Sequence, residues 1–218
     1  MTFTLYLVTD RKIIARQLSL LTAVEEALKA GVRAVQLREK DLRVRELAEM
    51  AYKMREVTKR YQAQLFINDR VDIALCAEAD GVHLGRSGIP VRAARKLIGK
   101  RMLIGASTHS EEEALAAERE GADFITFGPL YDTPSKRKYG EPVGTALLAR
   151  VSGKTSIPVF GIGGVQTGSI REVIHSGARG IALIRGILGQ ADIRGAAERY
   201  MRILQQRHCR EKGRGERS

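Results

Sequence analysis

Short apolar runs alternate with longer amphipathic stretches along almost the whole chain. Leu5-Tyr6-Leu7-Val8 reads as a strand ending at Thr9-Asp10. Ser19 then caps an amphipathic helix through Lys29, which Gly31 stops. The pattern repeats: a strand over Val32 to Leu37, a helix from Val44 to about Arg60, and a strand Gln64-Leu65-Phe66-Ile67. A short helix from Val71 to Ala77, a strand Gly81-Val82-His83-Leu84 and a helix from Val91 to Leu97 follow. Strand five is predicted over Met102 to Gly105, helix five from about Glu111 to Glu120, and strand six over Phe124 to Phe127. A long loop from Gly128 to Val143 precedes a helix near Leu147 to Val151. The last two strands are Ile157-Pro158-Val159-Phe160 and Gly180 to Ile184, with a helix from about Thr167 to His175 between them. A final helix runs from Ile193 to about Gln206.

Strands alternating with helices imply a parallel sheet. Eight such units within roughly 200 residues imply a compact, single-domain (β/α)₈ barrel, with an open doubly wound sheet as the other arrangement. The barrel domain is expected over residues 1–207, and residues 208–218 are expected to form a basic, disordered tail.

In such a barrel, chemistry sits where the strands end. Asp10, Arg38, Lys40, Asn68, Asp69, Ser107, Thr133, Lys136 and Arg185 all follow a strand directly or lie in the loop after it. Phe160-Gly161-Ile162-Gly163-Gly164-Val165 allows a tight turn and close approach of a ligand to the backbone. With the strand end at Ile184-Arg185-Gly186 it suggests a phosphate cradle. His83 lies on a strand and reads as a packed, hydrogen-bonded core histidine rather than a base. His109 reads as a cap and His175 as a helix end.

Composition narrows the partners. The 218 residues carry a formal net charge of +12, which suits anionic ligands. Aromatics make up only 5% and tryptophan is absent, so no basic, aromatic-interleaved surface for nucleic acid is expected. No apolar run reaches membrane-spanning length, and Cys76 and Cys209 have no metal-site spacing. These features lead to the expectation of a cytoplasmic protein acting on small phosphorylated molecules, with homo-oligomerisation left open.

Several motifs stand in a fixed order. They are Gln36-Leu37-Arg38-Glu39-Lys40, Ile67-Asn68-Asp69-Arg70, Asp80-Gly81-Val82-His83-Leu84-Gly85, Ser107-Thr108-His109, Gly128-Pro129, Thr133-Pro134-Ser135-Lys136 and Ile162-Gly163-Gly164. Together they resemble the thiamine phosphate synthase family over residues 5 to 206. The resemblance implies a transferase of thiamine biosynthesis. It would join an aminopyrimidine methyl diphosphate to a thiazole phosphate, with Mg²⁺ as cofactor. It further implies that Gln36, Arg38, Lys40 and Asn68 contact the pyrimidine diphosphate, with Glu39 of the same motif among the substrate-binding positions. Asp69 would bind Mg²⁺ and Ser107 would approach the reacting centre. Thr133 and Ser135 would contact the thiazole phosphate, next to Pro134. Lys136 would stabilise the departing diphosphate, and Gly164, Ile184 and Arg185 would form the other phosphate cradle. Lys136, Ser107 and Arg38 are the implied catalytic residues.

Two positions depart from the family pattern. Gly88 stands where the family has a second Mg²⁺ aspartate, and Arg185 where it has a serine. The related thiazole tautomerases share the fold and also lack that aspartate. Their acid–base histidine corresponds to Pro129, as in the synthases. A tautomerase-like enzyme or a non-catalytic phosphate-ligand binder is therefore the alternative.

Overall fold

The computed structural model describes residues 1–132 and 141–215. Its elements run in the order β1 (Leu5–Val8), α1 (Leu20–Lys29), β2 (Ala34–Leu37), α2 (Val44–Arg60), β3 (Gln64–Asn68), α3 (Val71–Cys76), β4 (Gly81–Leu84) and α4 (Val91–Ile98). They continue with β5 (Leu103–Thr108), α5 (Glu111–Glu120), β6 (Phe124–Phe127), α6 (Gly144–Lys154), β7 (Val159–Ile162), α7 (Ile170–His175), β8 (Gly180–Leu183), α8 (Arg185–Leu188) and α9 (Ile193–Gly215). Single 3₁₀ turns follow β1 at Arg11–Ile13 and precede α7 at Thr167–Ser169. The eight strands close into a barrel in sequence order, every neighbour parallel. This is the expected single-domain (β/α)₈ barrel.

The helices start and stop as their local chemistry requires. Ser19 accepts the Thr22 N–H at the start of α1, and Ser110 accepts the Glu113 N–H at the start of α5. Helix α2 opens with Glu46 accepting the Arg43 N–H. Gly121 ends α5 in the left-handed region, where a side chain would be strained. The last helix continues to Gly215 and so takes in most of the stretch expected to be disordered. Arg, Lys and Glu are good helix formers, so a charged segment can extend a helix already nucleated.

Strand pleating sorts the core into two parts. Residues such as Leu5, Leu7, Val35, Ile67 and Val82 face outward and pack against the helices. Tyr6, Ala34, Phe66, Phe124, Phe160 and Ala182 face inward, and Phe3 joins them. The rings of Phe3, Phe66, Phe124 and Phe160 lie in edge and stacked contacts, with centroids 5.0–6.0 Å apart. Glycines make room for them. A Cβ on Gly81 would lie 2.5 Å from the Phe66 ring, and one on Gly105 would lie 2.4 Å from Phe124. The plug fills the barrel interior, so polar side chains on the same strands rise above it.

Candidate active site

The inward positions one pleat beyond the aromatic plug are Gln36, Asn68, His83, Ser107 and Thr126. Gln36, His83 and Thr126 are buried, while Asn68 and Ser107 are half-buried. His83 is the hub. Its Nε2 lies 3.0 Å from Ser107 Oγ and 3.4 Å from Thr126 Oγ1, and its Nδ1 lies 3.4 Å from Tyr6 Oη. Tyr6 Oη also accepts from Gln36 Nε2 at 3.2 Å. Burial pushes the His83 pKa down to about 3, helped by the nearby Arg38 charge, so the ring is neutral at physiological pH. Burial also raises the Tyr6 phenol well above its usual range. Neither group is set up as a general base near neutral pH, which agrees with reading His83 as a packed histidine.

Arg38, Glu39 and Lys40 follow β2, and their alternation splits their roles. The Glu39 carboxylate turns into the protein. It accepts from Thr9 Oγ1 (2.6 Å), from the Arg11 N–H and from Arg11 Nη1 (3.1 Å). Its oxygens are thus engaged in tying the rim of β1 to the rim of β2. Thr9 Oγ1 in turn accepts the Arg38 N–H at 2.9 Å, which fixes the backbone that carries Arg38. Asp41 draws off the rest of the Arg11 guanidinium and, with Lys12, is held well below the usual carboxylate range. Among the described residues, no carboxylate pairs with Arg38 or Lys40, so both cations remain open at the mouth.

Asp69 sits after β3 with φ of +59°, a conformation that costs most residues about 1–2 kcal/mol and Asp somewhat less. Its N–H donates to the His83 carbonyl at 2.9 Å. Its carboxylate accepts the Gly85 N–H at 2.6 Å and Asn68 Nδ2 at 2.8 Å. Gly88 faces this carboxylate directly: a Cβ there would lie 2.6 Å from Asp69 Oδ1. A cleft of about 280 Å³ opens alongside, between the β4–α4 loop and α5, and Gly85, Gly88, Ser107 and Glu113 help to line it. Arg86 also lines that cleft and pairs with Glu113 at 3.1 Å.

The opposite wall is built from the loops after β6, β7 and β8. Leu130 N–H donates to Ile162 O at 2.9 Å and Tyr131 N–H to Gly163 O at 3.0 Å, lacing the first two loops together. Gly163 (φ +93°) and Gly164 (φ +69°) permit this closeness. A Cβ on Gly164 would lie 2.7 Å from Tyr131 Cβ and 3.1 Å from Asp132 O. The glycine pair therefore serves loop-to-loop packing as well as ligand approach. Ile184 packs against the aromatic plug and precedes α8, whose first residue is the exposed Arg185. A short extra helix beside the loops after strands seven and eight is a recurrent phosphate-binding device of this fold. Thr133, Pro134, Ser135 and Lys136 lie outside the described residues.

The sequence comparisons agree with this geometry. The family model for thiamine monophosphate synthase matches residues 5–187. The chain belongs to the thiamine monophosphate synthase family. A relative from Geobacter sulfurreducens is 52% identical over 202 residues, covering 93% of this chain and 94% of its own length. The thiamine-phosphate synthase of Clostridium acetobutylicum is 44% identical over 195 residues, covering 89% and 92%. Among solved structures, the thiamine phosphate pyrophosphorylase from Pyrococcus furiosus superposes with a TM-score of 0.85 at 37% identity, covering 93% of this chain and 96% of its own.

The synthase family implies Mg²⁺, and the donor set can be tested against it. Among the described residues, no group of three or more His, Cys, Asp or Glu is arranged to hold a metal ion. Among the described residues, Asp69 is the carboxylate at the end of β3, oriented by two donors. Each of its oxygens has a second lone-pair direction, so capacity for a cation remains. Position 88 faces the same spot with no side chain. Mg²⁺ commonly uses one or two carboxylates plus substrate phosphates and water, and a one-carboxylate site of that kind fits what is present.

Arg38, Lys40, Asn68, Asp69 and Ser107 lie at strand ends as expected, and the residues that support them were not anticipated. Thr9 and Arg11 hold Glu39, Thr9 holds the Arg38 backbone, Tyr6 holds Gln36, and Thr126 lies beside His83. A signal existed for Tyr6, a hydroxyl within an otherwise aliphatic strand, since a buried phenol needs a partner.

Proposed function

We propose that this barrel catalyses the formation of thiamine phosphate. The nitrogen of a thiazole phosphate bonds to the methylene carbon of an aminopyrimidine methyl diphosphate, the carbon–oxygen bond to diphosphate breaks, and diphosphate departs with the electron pair. The observation that carries this reading is the mouth itself. Arg38 and Lys40, which have no carboxylate partner among the described residues, stand beside the inward layer of Gln36, Asn68 and Ser107 above a sealed aromatic floor.

Such a reaction asks for positioning and charge stabilisation rather than covalent help from the protein. Arg38 supplies a fork and Lys40 a point charge for the diphosphate. Gln36 and Asn68 orient the pyrimidine, and Ser107 faces the reacting centre. Asp69 would hold Mg²⁺, which when bound neutralises diphosphate charge. Glu39 contributes by holding Arg38's loop rather than by touching substrate. Lys136 stabilises the leaving diphosphate, with Thr133, Pro134 and Ser135 beside the thiazole phosphate. Gly164, Ile184 and Arg185 cradle the remaining phosphate. No helix among the described residues is long and apolar enough to cross a membrane, and we place the reaction in the cytoplasm.

The test is a coupled assay with both precursors, with and without Mg²⁺, on wild type and Lys136→Ala. Mg²⁺-dependent product in wild type and its loss in a folded Lys136→Ala variant are expected. The missing carboxylate at Gly88 favours the tautomerase reading as the alternative. Isomerisation of a thiazole carboxylate phosphate alone, with no coupled product, would decide for it.

A further inference from the structure

The wall built from the loops after β6 and β7 has a side-chain tie besides its main-chain lacing, and the tie is Glu172 in α7. Glu172 Oε2 accepts from Tyr131 Oη at 2.9 Å, and its Oε1 accepts from Thr145 Oγ1 at 2.7 Å. Tyr131 lies where the chain leaves β6, and Thr145 lies in the first turn of α6. One carboxylate thus joins the exit from β6 and the entry to α6 to the helix that follows Gly163-Gly164. Thr145 engages the oxygen that Tyr131 does not use, so the carboxylate is gripped from both sides. Donation from the Thr145 and Tyr131 hydroxyls holds the Glu172 carboxyl below its usual range, and it is ionised at neutral pH.

The tie reaches the phosphate cradle through Tyr131. The Tyr131 N–H donates to Gly163 O at 3.0 Å, and the Val143 N–H donates to Pro129 O at 2.8 Å. A Cβ on Gly164 would lie 2.7 Å from Tyr131 Cβ and 3.0 Å from Tyr131 O. Tyr131 therefore sets the space beside the backbone that a phosphate must approach. Its ring is half-buried against the core, and its hydroxyl is the one polar atom of the side chain. The main-chain bond to Gly163 fixes where Tyr131 starts. The Glu172 contact fixes which way its ring goes, and with it the Cβ that lies against Gly164.

We infer that Glu172 is a positioning residue of the phosphate cradle, which through Tyr131 fixes the loop after β6 against Gly163-Gly164 and so sets the affinity for the thiazole phosphate. It acts through Tyr131 and not by touching substrate. That the ligand is the thiazole phosphate rests on the function proposed above; the tie between Glu172 and the cradle loops does not. The aminopyrimidine diphosphate is assigned to Arg38, Lys40 and Asn68 across the mouth, so its binding is independent of Glu172.

The experiment uses the full chain and reads kcat, the KM for each substrate and the melting temperature, with calorimetric titration of the thiazole phosphate alone beside them. Glu172→Ala is expected to raise the KM for the thiazole phosphate and to weaken its titrated affinity about fivefold, the share of one hydrogen bond. The KM for the aminopyrimidine diphosphate stays unchanged. Tyr131→Phe keeps the ring, removes the hydroxyl and gives the same shift; in the Glu172→Ala background it adds nothing, because both act through one contact. Glu172→Gln recovers most of the loss, since its amide can donate to Thr145 Oγ1 and keep its oxygen for Tyr131. An unchanged KM for the thiazole phosphate in Glu172→Ala, equal rises for both substrates, or a further loss in the double variant would overturn the inference. A lower melting temperature without the selective change in KM would overturn it too, because that is the signature of a purely structural contact. Wild type that titrates the thiazole phosphate but forms no product overturns the assigned reaction. The titrated affinities of the variants then decide the positioning role by themselves.

Discussion

At the scale of single residues, the mouth separates side chains that face a ligand from those that brace them. Arg38 and Glu39 are adjacent, yet one is left unpaired and the other is saturated by Thr9 and Arg11. Strand pleating continued one residue past β2 predicts this, because Gln36 and Arg38 share the inward side and Glu39 does not. Glu39→Gln should cost roughly 1.5–3 kcal/mol, the range for hydrogen bonds to a charged group. Thermal melting and the KM for the pyrimidine diphosphate should worsen together; an unchanged melt would show that the Glu39 contacts carry no stability. Gly88 allows a sharper test. Its backbone is not in the left-handed region, so an aspartate is tolerated conformationally. Its Cβ, however, would press on Asp69 and bring two carboxylates together. Gly88→Asp should therefore melt lower than wild type without metal and gain more than wild type from Mg²⁺. Equal Mg²⁺ shifts in both proteins would mean that Asp69 and position 88 do not share a cation.

At the scale of elements, the alternation of strands and helices was legible because each βα unit buries one apolar strand and one apolar helix stripe. Helices α2 and α5 and strands β1, β4 and β6 fall where the pattern puts them. The misses share a cause. β5 continues through Ser107 and Thr108, and β7 is displaced two residues to end at Ile162, where apolar periodicity alone would stop each of them earlier. At the barrel mouth the ladder persists while the side chains turn polar or vanish into glycine, so hydrophobicity no longer reports the strand. The short α8 was missed because Ile184 to Leu188 looks like the tail of a strand. The candidate site was legible as a list of strand-end residues, but the Gln36–Tyr6–His83–Ser107 chain was not, since its partners meet only when the barrel closes. The laced β6 and β7 loops also recast Gly164→Val. The new side chain would strike Tyr131 and Asp132 before it met a phosphate, in a backbone conformation that β-branched residues rarely adopt. The expected outcome is a lower melting temperature together with a raised KM for the thiazole phosphate. A raised KM with an unshifted melt would show that the loops yield and only the phosphate approach is blocked.

At the scale of the whole molecule, one buried histidine links the reaction chamber to acid stability. His83 sits where β1, β4, β5 and β6 converge, and its pKa is lowered to about 3 by burial first and by Arg38 second. In the unfolded chain the same ring titrates near 6.5. Between these values the unfolded state binds a proton that the native state refuses, so folding stability rises with pH across that window. Stability is accordingly lost as pH falls from about 6.5 towards about 3, and the penalty levels off below, where both states carry the proton. At about 1.36 kcal/mol for each pH unit separating the two values, the full effect is on the order of 5 kcal/mol, a large share of a typical domain's stability. Paired carboxylates such as Asp41 contribute only at lower pH, so the interval from about 6.5 to about 5 isolates the histidine. Denaturant titrations across that interval should show wild-type stability falling steeply. His83→Gln should start lower, having lost part of the Tyr6–Ser107 bridge, but run nearly flat. Arg38→Met should keep the wild-type slope in this interval and level off at a higher pH, since it removes the smaller of the two causes that hold the native ring unprotonated. Parallel slopes in wild type and His83→Gln would mean that the ring is already protonated in the native barrel and that acid sensitivity arises elsewhere.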